Sequence, residues 1–161
     1  MTEVTQFEGR GIPGLLRGAR QAYGTVVRQA FADAGFEDMP RNGAFVLARV
    51  HDGSSEPSAL TRELGISKQA VSQLIDTMVM RGYLERTPDP DDRRRMLLTL
   101  TPRGEEAATV SWQAATGVDD DLTRRLTPDG VAALRAGLIV LCEMAEESAA
   151  PLRHSGPASS G

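Results

Sequence analysis

The chain has 161 residues, a formal net charge of −4, 40 % apolar side chains and 4 % aromatics. That length suits one domain with a sizeable core, and the scarcity of aromatics suits a mainly α protein packed with Ala, Leu, Val and Met. No apolar run approaches the roughly 20 residues a spanning helix needs, the N-terminus lacks the basic-then-apolar order of a secretory signal, and the single cysteine, Cys142, excludes an intrachain disulfide; the expected compartment is the cytoplasm.

Residues 1–10 carry no periodicity and are expected to be disordered. Gly11-Ile12-Pro13 opens a helix, with proline accepted in the first turn. Ile12, Leu15, Leu16, Ala19, Ala22, Tyr23, Val26, Val27, Ala30 and Phe31 then recur at helical spacing as far as Gly35. A second helix restarts at Pro40, with Phe45, Leu47, Ala48 and Val50 as core candidates, and ends at His51-Asp52-Gly53. Glu56-Pro57 is expected to add a brief strand.

The organising stretch is 57–104. Ala59, Leu60 and Leu64 make the apolar side of a short helix that Gly65 ends, since glycine tolerates the left-handed conformation there. Ser67 caps the next helix. Val71, Leu74, Ile75 and Met78 form its buried face, and Lys68, Gln69, Ser72, Gln73 and Asp76 fall opposite. Amide and hydroxyl side chains on such a face suit base edges in a major groove. Gly82 stops this helix. Tyr83–Thr87 and Arg95–Leu100 read as strands, with Met96, Leu98 and Leu100 on one face, around a loop of two prolines, acids and arginines that cannot be regular. Two helices followed by such a hairpin make a winged helix-turn-helix, whose arginine-rich wing would reach the concentrated negative potential of a minor groove.

Thr101-Pro102 caps a long helix through Ala108, Trp112 and Ala115, with a bend expected at Gly117 before Leu122 and Leu126. Thr127-Pro128-Asp129 repeats the capping pattern before Val131, Leu134, Leu138, Leu141 and Ala145. The tail from 149 to 161 is rich in Pro, Gly and Ser and expected to be disordered. The expected order is helix, helix, strand, helix, helix, strand, strand, helix, helix. The apolar stripes of the terminal helices find no partner inside a small winged helix, so a two-fold dimer is expected to cover them. Ile12, Leu15, Leu16, Leu134, Leu138 and Leu141 are the interface candidates. The expected division is thus 11–35 with 117–148 for dimerisation and 40–116 for the winged helix with its trailing helix. A dimer would also set two reading helices about 34–36 Å apart, the spacing of a palindrome.

The acidic total hides an uneven distribution. Residues 62–103 hold eight Lys/Arg against six Asp/Glu, so this segment is +2 and the remainder −6. Every basic residue but Lys68 is arginine, which gives bidentate recognition of phosphate and guanine.

The segment resembles the MarR family of transcriptional regulators. The resemblance rests on Glu63-Leu64-Gly65-Ile66-Ser67 with Ala70-Val71-Ser72, on Arg81-Gly82-Tyr83-Leu84, and above all on Asp89-Pro90-Asp91-Asp92-Arg93-Arg94 and Leu100-Thr101-Pro102-Arg103-Gly104. It extends over about residues 10–148. Ala59-Leu60 departs from the family's usual leucine-then-alanine order. The resemblance implies a homodimeric repressor of a palindromic operator on double-stranded DNA, relieved by a small, aromatic or phenolic effector. It places Arg94 at the wing tip, with Asp92 holding the loop and Arg93 and Arg95 dividing between phosphate and body. Gln69, Ser72 and Gln73 would read bases, and Lys68 and Arg81 would meet phosphate. Asp76 would accept from a cytosine amino group or anchor an arginine.

The bland readings are a solvated turn for the wing acids and a solvated face for the helix. Tyr23, Phe31, Phe45 and Trp112 are candidates to line an effector cleft, and equally candidates for the core. Some relatives sense oxidants through cysteine, but Cys142 beside Leu138 and Leu141 reads first as core packing. His51 and His154 lack metal-ligand spacing, and no catalytic triad, phosphate-binding glycine loop or acid pair points to an enzyme or a cofactor. The alternative to DNA binding is a small-molecule or redox sensor whose winged helix binds a protein.

Overall fold

The computed structural model describes residues 7–53, 56–92 and 96–149. Its elements in chain order are helices α1 (Ile12–Asp33), α2 (Gly43–His51), α3 (Pro57–Leu64) and α4 (Lys68–Met80), strands β1 (Leu84–Pro88) and β2 (Met96–Leu100), and helices α5 (Pro102–Arg125) and α6 (Pro128–Ala149). They form two compact units, one up to Val118 and one from Asp119 onward.

In the first unit, α3 and α4 form the helix-turn-helix and the antiparallel pair β1–β2 the wing. Gly65 ends α3 at φ 64°, and the Ser67 hydroxyl caps α4 by accepting from the Ala70 amide at 3.2 Å. Val71, Leu74, Ile75 and Met78 are buried, and they join Leu60, Val46, Leu47, Val50, Leu84, Leu98 and Ala107 in one core. Each of the larger aliphatic side chains contributes roughly 1.5–3 kcal/mol on leaving water. Strand register pairs Leu84 with Leu100, Arg86 with Leu98 and Pro88 with Met96.

Some expectations shift. Glu56 and Pro57 are not a strand: Glu56 is the N-cap of α3 and Pro57 its first residue, a position where the missing N–H costs nothing. Among the described residues the sheet therefore has two strands. In α2 the buried face runs through Val46, Leu47 and Val50, while Ala48 is exposed; a nine-residue helix offers too few turns to fix its inward face from apolar spacing alone. Gly117 does not interrupt α5, which continues to Arg125. The expected disorder of residues 1–10 and 149–161 falls largely outside the described residues; residues 7–10 form a turn in which the Arg10 guanidinium lies 4.9 Å from the centre of the Phe7 ring.

The junction of α4, the wing and α5 is tied by a close crossing. Gly82 leaves α4 at φ 72°, a conformation that favours glycine. The Thr101 hydroxyl donates to the Gly82 carbonyl at 2.5 Å and accepts from the Gly104 amide at 3.0 Å. The Tyr83 carbonyl accepts from the Thr101 amide at 3.2 Å, and it presses so closely on Gly104 that any Cβ there would collide with it. The linker between α1 and α2 closes the other side. Phe36 packs edge-on to Phe31 of α1, with ring centres 6.2 Å apart, and 6.1 Å from Tyr83.

In the second unit the apolar side chains of α6 are uncovered: Leu134, Leu138, Ile139, Val140, Leu141 and Met144 all face solvent. Within the first unit α1 shows the same property, with Ile12 64 % exposed and Leu15, Leu16 and Val26 also open.

A Gly104→Ala substitution is expected to destabilise the first unit by about 1–3 kcal/mol, the usual cost of forcing a methyl into a filled space. The urea midpoint of unfolding reads it; an unchanged midpoint would show that the crossing has slack.

Candidate nucleic-acid interface

The outer face of α4 carries Lys68, Gln69, Ser72, Gln73 and Asp76, all exposed along one stripe because the opposite stripe is in the core. Beside it stands the wing. A depression of about 140 Å³ lies between them, lined by Pro57, Lys68, Ser72 and Ile75 on one side and Arg86, Met96 and Leu98 on the other. Helix α4 packs against α3, which is tied to α2 where Arg49 Nη2 donates to Glu63 Oε1 at 3.2 Å.

At the wing tip the Asp91 amide donates to Asp89 Oδ1 at 2.9 Å, which turns the chain, and Asp92 is exposed. Arg93, Arg94 and Arg95 lie outside the described residues.

Arg81 sits apart from the stripe. Its guanidinium donates to the Asp38 carbonyl and its own carbonyl accepts from Arg103 at 3.0 Å, so its side chain is committed to the body rather than offered to a phosphate. Asp76 accepts from Arg86 of β1 at 2.5 Å. Sequence reasoning left Arg86 without a role because no periodicity relates a helix residue to one on a following strand. Asp38 and Arg103 were missed for a similar reason: their partnership joins positions 65 residues apart.

The four cleft candidates divide. Phe31 is buried in the core against Phe36, and Phe45 packs partly buried on the same core. Tyr23 is half-buried on α1, and Trp112 is 69 % exposed on α5. Cys142 is exposed on α6, against the expectation of burial, because its whole apolar stripe is uncovered in the single chain. His51 lies 3.5 Å from Glu105, linking the end of α2 to the start of α5. No helix among the described residues is long and apolar enough to cross a membrane.

A helix-turn-helix with a two-stranded wing, preceded and followed by long helices, defines the class as a winged helix. Residues 38–95 match the model of the MarR family. It is 32 % identical over 83 residues to the multiple antibiotic resistance protein MarR of Salmonella typhimurium, covering 51 % of this chain and 58 % of that protein. It is 30 % identical over 70 residues to a putative transcriptional regulatory protein for the hcr operon of Thauera aromatica, covering 44 % and 42 %. The chain thus spans 58 % or less of the length of these two relatives. Among solved structures it is similar to a mutant MarR of E. coli complexed with operator DNA, with TM-score 0.63 and 25 % identity over 81 % of this chain and 94 % of that one. A crystal structure of MarR at 22 % identity shares the fold with TM-score 0.67 over 92 % of this chain and 97 % of its own.

The cluster behind the interface titrates in a defined direction. Tyr83 is fully buried, and its hydroxyl donates to Asp38 Oδ1 at 2.5 Å. Arg103 Nη2 donates to the same carboxylate oxygen at 2.8 Å and to the Tyr83 hydroxyl at 3.1 Å, with its guanidinium 4.5 Å from the centre of the Tyr83 ring. The Tyr83 bond, aided by Arg103 and Arg81, holds the Asp38 carboxyl below its ordinary value of 3.8. Burial and the Asp38 bond push the Tyr83 phenol up to about 12 from 10.0. A depressed acid stabilises the fold above its unfolded value and loses that contribution as pH falls through its folded value. A raised phenol contributes fully below pH 10.0 and loses its contribution as pH rises toward about 12. The Asp38 side chain is 42 % exposed, so water screens the pair and the loss in Asp38→Asn is expected to be about 1 kcal/mol at neutral pH. That variant is also expected to show a shallower decline of the thermal midpoint below pH 4 than the parent; equal slopes would show that other carboxylates carry the acid sensitivity.

Proposed function

We propose that the chain is a homodimeric, sequence-specific transcriptional regulator that represses a promoter by occupying a palindromic operator, and that a small effector, aromatic or phenolic in character, relieves it. The carrying observation is the exposed stripe of Gln69, Ser72 and Gln73 beside a two-stranded wing, within the segment matched to the MarR family. The likeness to a MarR solved on operator DNA supports the same reading.

In this reading the amides of Gln69 and Gln73 and the Ser72 hydroxyl meet base edges, where a good bidentate contact is worth about 1–3 kcal/mol of discrimination. Lys68, in the first turn of α4, meets phosphate. Arg94 enters the minor groove, Asp92 steadies the loop that carries it, and Arg93 and Arg95 divide between phosphate and body. The uncovered stripes of α1 and α6, with Ile12, Leu15, Leu16, Leu134, Leu138 and Leu141, form the dimer interface. In the chain's proposed division, 11–35 and 117–148 serve dimerisation and 40–116 serves reading. An effector releases DNA only if it prefers a spacing of the two reading helices that does not match successive grooves.

The test is titration of a labelled duplex from upstream of the gene encoding the chain, against random-sequence competitor, at several salt concentrations. Saturable binding that survives competitor is expected, with log affinity falling linearly in log salt by about 0.9 per phosphate contacted. Arg94→Ala is expected to weaken binding about tenfold and leave the dimer intact; unchanged affinity would remove the wing from the interface. Leu138→Glu is expected to yield a monomer by sedimentation, because a buried unpaired carboxylate is costly; a persistent dimer would put the interface elsewhere.

A further inference from the structure

We infer that Arg86 is a positioning residue of the reading face: it neutralises Asp76 and holds it away from the bases, so that the stripe presents only neutral and positive groups to DNA. The inference rests on the DNA-binding reading and goes beyond it by assigning Arg86, which the sequence pattern left without a role, and by deciding between the two roles open to Asp76.

The observation is geometric. Asp76 is one turn beyond Ser72 on the stripe, so its carboxylate faces the same surface as Ser72 and Gln73. It is the single acid on that stripe and would stand in the field of the phosphates. Arg86 is the third residue of β1, opposite Leu98 in the register, and its side chain leaves the wing for the helix. Its Nη2 lies 2.5 Å from Asp76 Oδ1. Glu85, its neighbour on the strand, alternates to the other face and does not compete. Both partners stay in contact with solvent, 42 % and 60 % exposed, so the pair adds little to folding. Its consequence is electrostatic. With Arg86 present, the stripe and the strand residue that answers it carry one net positive charge, from Lys68. Without Arg86 they sum to zero, with the negative end at Asp76.

A carboxylate engaged by a guanidinium at this distance has one oxygen committed, in a short charge-assisted bond. That leaves only Oδ2 to accept from a cytosine amino group, on a carboxylate whose charge the guanidinium already offsets. The pair also spans the depression between α4 and the wing, joining β1 to the helix at one point of its length.

The experiment compares Arg86→Gln, Arg86→Lys, Asp76→Asn and the double variant on the labelled upstream duplex and on a random duplex. Arg86→Gln is expected to bind about tenfold more weakly, by leaving the carboxylate unpaired. Arg86→Lys is expected to recover most of the loss, and the double variant to return to within about twofold of the parent. Asp76→Asn alone is expected to bind at least as tightly as the parent and to keep its preference for the upstream duplex. If Arg86→Gln has no effect, or if the double variant stays as weak as Arg86→Gln, Arg86 does not act through Asp76 and the inference is overturned. Loss of preference in Asp76→Asn overturns it too, since Asp76 would then be reading a base. A parent protein that binds neither duplex sinks the DNA reading together with this inference, an outcome distinct from all of these.

Discussion

The close approach of the Tyr83 carbonyl to Gly104 is the constraint on which the helix-turn-helix and its wing depend. It forces the chain leaving α4 against the chain entering α5, and it leaves no room for any side chain at the point of contact. Thr101 then satisfies two backbone groups at once, the Gly82 carbonyl and the Gly104 amide. The alternative would be buried polar groups without partners, at roughly 1–3 kcal/mol each. Once those bonds are made, the wing strands can only leave and return at one place, because β1 starts just after Gly82 and β2 ends just before Thr101. The position of the wing beside the reading helix is thus a consequence of how α4 ends.

The same crossing reaches back toward α1. Arg103, one residue before Gly104, grips Asp38 in the linker that follows α1, while its guanidinium lies over the Tyr83 ring. Phe36 in that linker packs edge-on to Phe31 of α1 and tilted against Tyr83. The last turn of α1 and the end of the reading helix are therefore coupled through packed rings and charged hydrogen bonds rather than a flexible tether. In a dimer built through α1, a change in how the long helices meet would be passed to the reading helix through these side chains, because closely packed side chains move together rather than deform singly.

Much of this was legible in the sequence, and the legible part has a common physical origin. Local signals are written in neighbouring residues: the Ser67 cap, the Gly65 and Gly82 stops and the four apolar positions of α4; the proline rule reached too far, since Pro88 ends β1 opposite Met96 instead of opening the loop. Each concerns groups within a turn or two of one another, so periodicity and capping rules reach them. What failed had several origins. Glu56-Pro57 looked like a strand because extended residues before a helix and extended residues in a sheet share the same backbone preference. Ala48 was placed in the core because a short helix offers too few turns to fix its inward face. Cys142 was expected to be buried because an apolar stripe says that something covers it without saying whether the cover belongs to the same chain. Arg81 was assigned to phosphate on its position alone, whereas its carbonyl contact comes from a loop 43 residues away. Pairings across the fold, such as Asp38 with Arg103 or Asp76 with Arg86, leave no trace in spacing.

The charge pattern takes on a different meaning once those pairings are known. Counted along the chain, residues 62–103 exceed neutrality by two positive charges, a weak excess for a surface facing a polyanion. Counted by contact, Arg103 is neutralised by Asp38, Arg86 by Asp76, and Arg81 is turned to the body. Among the described residues, that leaves Lys68 as the cation on the α4 stripe beside neutral amides and a hydroxyl. A helix face so furnished attracts phosphate only modestly and gains most from base edges that match its donors and acceptors. Arg62, exposed on α3, and the arginines at 93–95 are the other basic residues of the segment. On the proposed reading α4 is thus furnished for selectivity more than for affinity. The Gly82–Gly104 crossing is what fixes where the wing strands leave and return beside it.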